Sequence, residues 1–215
     1  MPQAQRKHLE STDEAIEAVI WAGARAAARG WVPATSGNFS ARIDQRRIAI
    51  TRTGVDKAAL THSDILIQDL AEPLANGASA ETGLHVAIYK RQPGINAVSH
   101  IHGHYSTIIG QAHVDEGVVR VSGWELQKAI AGIKSHTEVV EVPVFANHQD
   151  ITALAEQVSE LLASTPARGH FRAPAFLLAG HGLYAWGDSP CTAARHIEAL
   201  EVLLQQIVTF RSYQA

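Results

Sequence analysis

Apolar positions along the chain recur with two periods, and each marks a different kind of element. Over residues 13–29, Ile16, Val19, Ile20, Ala24 and Ala27 share one helical face, with Thr12 or Asp13 able to cap the start and Gly30 to end it. The small-residue loop 33–38 then leads into two alternating segments, 39–43 and 47–51, joined by a turn at Asp44-Gln45-Arg46. Thr53-Gly54 breaks the second. Further strands are predicted over 65–69, 97–102, 118–121, 137–144, 175–178 and 183–186. Helices are predicted over 81–90, 125–133, 151–163 and 191–210, the last with Ile197, Leu200, Leu203, Leu204, Ile207 and Val208 on its buried side. No linker and no internal repeat interrupts this order. Interleaved strands and helices predict one α/β domain over residues 1–215, with a single mixed or largely antiparallel sheet.

Composition narrows what such a domain does. The chain has 215 residues, 46% hydrophobic and 18% charged, enough to bury a substantial core. Its net charge of -3 comes without a basic block, so neither nucleic acid nor an anionic membrane surface is an expected partner. The single cysteine, Cys191, forms no internal disulfide, and the polar N-terminal ten residues do not read as a signal segment. No apolar run reaches the 18 residues of a membrane span, and a cytoplasmic location is expected. There are, however, 12 histidines, several of them close together.

His100 and His102 stand two apart in a predicted strand, where positions i and i+2 project from one face. Two imidazoles at a strand end, just before Gly103, are well placed to hold one metal ion. Zinc takes three protein ligands at a catalytic site and keeps a position for substrate or water, so a third ligand must come from elsewhere. His181, between Gly180 and Gly182 at the end of an apolar strand, is favoured over His104 and His196. Spacing alone leaves a chance His-x-His pair equally open. Iron, cobalt and nickel suit three imidazoles as well as zinc does.

The chain resembles the class II aldolase/adducin family. The matching pieces come in the family's order: Ser36-Gly37-Asn38, Thr53-Gly54, Ser79-Ala80-Glu81, His100-Ile101-His102 and Gly180-His181-Gly182. The resemblance implies an α/β/α sandwich on a mostly antiparallel central sheet, and a four-fold homotetramer with active sites between subunits. It implies one Zn2+ per subunit on His100, His102 and His181. It also implies a small phosphorylated sugar as substrate, its phosphate held by Ser36, Gly37, Asn38, Thr53, Gly54 and Ser79. Short loops of hydroxyl, amide and backbone N–H groups make such anion sites without any lysine. The family often has two hydroxyl residues before the glutamate; here the second is Ala80. Glu81 aligns with the carboxylate that serves as base or extra metal ligand.

The stretch 122–130, with Ser122-Gly123-Trp124-Glu125, resembles the segment bearing the catalytic glutamate in the methylthioribulose-1-phosphate dehydratase branch. The branch implies dehydration of 5-methylthioribulose 1-phosphate to a 2,3-diketone in methionine salvage, with Glu125 as general acid and base. Trp124, Tyr184 and Trp186 are candidate walls for the methylthio group, Trp186 more simply a core residue. Two alternatives remain: a sugar-phosphate aldolase or pentose-phosphate 4-epimerase relying on Glu81, and a non-catalytic adducin-like association module. His85, His104, His148 and His196 receive no assignment.

Overall fold

Ser11 starts the first helix, one residue before the expected cap: its hydroxyl accepts the Glu14 N–H, and Asp13 and Glu14 face the positive end of the dipole. The computed structural model describes Leu9 and residues 11–214, so the polar N-terminal segment otherwise lies outside the described residues. That helix, α1 (Thr12–Ala27), is followed by the hairpin β1 (Asn38–Arg42) and β2 (Arg47–Thr51). The Asp44 carboxylate closes the turn by accepting the Arg46 and Arg47 N–H groups. Then come β3 (Ile65–Asp69), α2 (Thr82–Arg91), β4 (Ala97–Ile101), α3 (His104–Ala112) and β5 (Val118–Val121). After a 3-10 turn at Glu125–Ala129 the chain forms β6 (Val139–Phe145), α4 (Ile151–Ala163), β7 (His170–Arg172), β8 (Ala175–Leu178), β9 (Gly182–Gly187) and α5 (Pro190–Gln214).

The strands form one sheet in the order β3-β2-β1-β4-β9-β8-β6-β5, with β7 alongside β6. Among the described residues only β6 with β7 and β6 with β8 pair in parallel; the other strand pairs are antiparallel. Alternate residues serve two cores, because successive side chains leave a strand on opposite faces. Ile48, Ile50, Val98, Phe176, Leu178, Tyr184 and Trp186 pack with Leu84 and Ile88 of α2 and Leu154 and Val158 of α4. Ala49, Leu177, Leu183 and Ala185 pack instead with α1, α3 and α5. The expected α/β/α sandwich is therefore present, with three helices on one face and two on the other.

Three departures from the sequence reading have tertiary causes. Helix α3 forms where no element was expected, and its start is capped from far away: Tyr105 N and Ser106 N donate to the buried Glu201 carboxylate of α5, at 2.8 and 3.1 Å. The helix predicted over 125–133 shrinks to a 3-10 turn. Gln127 there donates to Ser135 O and Glu138 O, while Ala131 N donates to His196 Nε2, and these bonds hold the chain in a loop. The strand predicted over 97–102 ends at Ile101, because His102 N turns to Trp31 O.

Candidate active site

The end of β4 and the tight turn between β8 and β9 deliver three histidines to one point. Gly182 makes this possible: a Cβ on it would lie 2.0 Å from the Ile101 carbonyl oxygen, so only glycine lets β9 start so close to the end of β4. Gly37, at φ +75°, also passes close to the His100 carbonyl, where a Cβ would lie 2.7 Å from its oxygen, and brings the 33–38 loop to the same place. The Nε2 atoms of His100 and His102 are 3.1 Å apart, those of His102 and His181 3.0 Å, and those of His100 and His181 3.3 Å. Three nitrogens around one tetrahedral zinc-sized ion stand about 3.3 Å apart. The residues present therefore fit a divalent cation.

Second partners orient the rings for that task. His100 Nδ1 lies 3.1 Å from the Leu183 carbonyl and His181 Nδ1 3.2 Å from Asn147 Oδ1; both acceptors require Nδ1–H and leave Nε2 with its lone pair. Tyr184 stacks on His100 at 3.9 Å between ring centres. Burial holds His100 well below the ordinary imidazole range, and burial together with the neighbouring His181 lowers His102 to about 4. Neutral imidazole is the form that binds metal.

Glu81, at the start of α2, closes the group. Its Oε1 is 3.0 Å from His181 Nε2 and its Oε2 3.7 Å from His100 Nε2. Burial alone would raise this carboxyl. Its contacts with His181 and His100 and the Asn38 amide outweigh burial and hold the group at about 2, so it is ionised. Glu81, His102 and His181 border a cavity of 480 Å3 that Ser36, Gly37, Asn38, Thr53, Gly54 and Ser79 also line, with His100 buried beside them. All the loop residues predicted for the phosphate thus meet the predicted metal ligands in one place. Ser36 Oγ is buried there with no hydrogen-bond partner among the described residues, as suits a group awaiting a ligand.

The chain matches the model of the Class II Aldolase and Adducin N-terminal domain over residues 17–208. It belongs to this family. A methylthioribulose-1-phosphate dehydratase of Bradyrhizobium sp. strain BTAi1 is 56% identical over 199 residues, covering 93% of this chain and 92% of that protein. One of the same name from Parvibaculum lavamentivorans is 43% identical over 191 residues, covering 89% and 91%. Among solved structures, the l-fuculose-1-phosphate aldolase of Thermus thermophilus superposes with a TM-score of 0.73 at 30% identity, covering 93% of this chain and 96% of that one.

One residue expected at the site stands apart. Glu125 does not line the cavity: its side chain is 72% exposed, paired with Lys128 and 3.8 Å from His136. Its carboxyl is held low by the bond to Lys128. The aromatic walls also lie elsewhere. Trp186 is a core residue, Tyr184 backs His100 from within the core, and Trp124 packs edge-on to Phe210 at 5.9 Å. Of the unassigned histidines, His196 bridges Trp186 O and Ala131 N, a structural role, and His104 opens α3. His148 lines the cavity mouth and accepts the Asp150 N–H.

The sequence reading missed the cavity's cations. Lys57 is 1% exposed, lines the cavity, and donates to Thr35 O at 2.8 Å and Val55 O at 2.7 Å, tying the 33–38 loop to the segment after Gly54. Burial lowers its pKa, countered by Asp56 and Glu81. Arg52 lines the same cavity. A lone Lys three residues after Gly54 looks like any surface lysine in the sequence, so no local signal pointed to it.

Proposed function

We propose that this chain is a hydro-lyase that removes water from 5-methylthioribulose 1-phosphate, giving the 2,3-diketo-5-methylthiopentyl 1-phosphate, a step of methionine salvage. The observation that carries the reading is the convergence of three Nε2 atoms and an ionised carboxylate on a cavity rimmed by anion-binding loops. The dehydratase names of relatives with up to 56% identity select the reaction. His100, His102 and His181 are the metal ligands, and zinc is the ion we favour. Ser36, Gly37, Asn38, Thr53, Gly54 and Ser79 hold the phosphate through hydroxyl, amide and backbone donors, with Lys57 and Arg52 supplying charge. The whole chain acts as one domain, in the cytoplasm.

In the reaction a base takes the C3 proton and an acid returns a proton to the C4 hydroxyl, so that one water leaves and the enol relaxes to the diketone. A divalent ion held by His100, His102 and His181 would supply Lewis acidity for this step. Glu125 performs both proton transfers, keeping the proton it takes from C3 for the departing hydroxyl. Since one chain leaves Glu125 exposed and outside its own cavity, a neighbouring copy delivers it in a homotetramer with shared active sites. Glu81 holds the histidines and contributes a fixed negative charge.

The test follows diketone formation from 5-methylthioribulose 1-phosphate by metal-loaded and chelator-treated protein. Product that vanishes with chelation and returns with zinc supports the reading; no product from fully loaded protein overturns it. A second reading, a sugar-phosphate aldolase with Glu81 as its acid and base, is favoured by the contact of Glu81 with the histidines and by the likeness to the fuculose-phosphate aldolase. Glu125→Gln abolishes dehydration under the first reading; under the second, only Glu81→Gln is inactive and the protein cleaves a sugar phosphate.

A further inference from the structure

Beyond Asn38 a row of buried polar side chains runs from the active site into the core, and the reaction as described uses none of them. Asn38 Nδ2 donates to Glu81 Oε2 at 2.5 Å, and Asn38 Oδ1 faces His85 Nε2 at 2.5 Å. His85 Nδ1 lies 2.7 Å from Ser40 Oγ, which lies 3.0 Å from the Tyr89 hydroxyl. His85, Ser40 and Tyr89 are all buried. The row exists because two periods match: Asn38 and Ser40 are i and i+2 on β1, and Glu81, His85 and Tyr89 are i, i+4 and i+8 along α2. Two strand residues advance about 6.6 Å and four helix residues about 6 Å, so the polar groups pair rung by rung.

The orientation of Asn38 sets the direction of every bond in the row. Its Nδ2 donates to the Glu81 carboxylate, which leaves Oδ1 facing His85. His85 Nε2 must then donate. Burial keeps the ring neutral, pushing it down to about 3, so Nδ1 accepts the Ser40 O–H, and Ser40 Oγ is left to accept the Tyr89 O–H. Each donor and acceptor has one consistent role.

We propose that His85 is a positioning residue for the reaction: through Asn38 it fixes the Glu81 carboxylate against the metal-binding histidines, and Ser40 and Tyr89 lock the tautomer it needs. The proposal rests on the reading that Glu81 takes part in the active site. Without an N–H at His85, Asn38 is free to turn and present Oδ1 to the carboxylate, which repels it.

Full-length metal-loaded protein carrying His85→Leu, His85→Gln, Ser40→Ala, Tyr89→Phe or Glu81→Gln is compared for kcat, KM, bound metal and melting temperature. In His85→Leu kcat falls by about tenfold to a hundredfold with KM and metal content near wild type. His85→Gln, which keeps a donor, recovers most of that loss. An unchanged kcat in folded His85→Leu, or a Gln variant no better than Leu, overturns the proposal. Should His85→Leu fail to fold, Ser40→Ala and Tyr89→Phe decide: lowered kcat supports the proposal, and wild-type kcat in both overturns it. Glu81→Gln separates the two layers, because wild-type activity there removes the reading of Glu81 itself. NMR of labelled histidine gives a readout independent of turnover: a neutral His85 ring protonated at Nε2 near neutral pH is expected, and a charged ring or the opposite tautomer overturns the proposal.

Discussion

A methyl group on the Cα of Gly182 would stand 2.0 Å from the Ile101 carbonyl oxygen. Neither partner can yield without moving β4 or β9, and His181 sits directly before the glycine. Gly182→Ala should therefore cost about 1–3 kcal/mol as overpacking and displace His181. Metal content after gel filtration should fall well below that of the wild type, with a lowered melting temperature. His85 carries a prediction of its own. Its pKa drops from 6.5 to about 3 on folding because of burial, so the unfolded chain binds the proton that the folded one refuses. The sign follows: its contribution is complete above pH 6.5 and is lost as pH falls toward 3. Denaturant titrations of metal-free protein should show stability falling over that window, and His85→Gln should flatten the slope.

Among the elements, α3 depends most on a distant partner. Its first turn exposes N–H groups that no nearby side chain caps, and the buried Glu201 carboxylate of α5 takes two of them. Hydrogen bonds to a charged acceptor contribute about 1.5–3 kcal/mol, so Glu201→Ala should lower stability by at least that amount. Because α3 starts two residues after His102, the same variant should bind metal more weakly, which a chelator competition would register. Elements with their own periodicity needed no such help. Strands β2, β3, β5 and β8 and helix α4 run over the residues that their apolar patterns indicate. The three-residue β7, paired in parallel with β6, is too short for any period to mark.

At the scale of the whole molecule the cavity gathers nine of the predicted site residues around His100, and leaves Glu125 outside. If a neighbouring copy supplies that glutamate, two inactive variants should complement each other. Neither His181→Asn nor Glu125→Gln tetramers should turn over 5-methylthioribulose 1-phosphate. Mixed tetramers formed by unfolding and refolding the two together should recover a fraction of wild-type activity, read from diketone formation against total protein. Failure to recover any activity in verified mixed tetramers would place Glu125 in its own chain's site or outside the chemistry. Lys57→Met offers a companion test at the phosphate end, where the loss of a buried charge should raise KM more than it lowers kcat.

Most of the strands and helices, the three histidines of the candidate metal site and the small-residue loops could be read from the sequence, since period-2 and period-3.6 patterns and short motifs are local properties of a chain. Other features come from residues far apart and were settled only by tertiary structure. Helix α3 owes its start to a carboxylate 96 positions away. Lys57 became part of the site because two loops closed over it. The row from Glu81 to Tyr89 arose because a strand and a helix with unlike periods were laid side by side, their rises nearly equal. Periodicity specifies which face of an element is buried; what that face meets is decided when the layers pack.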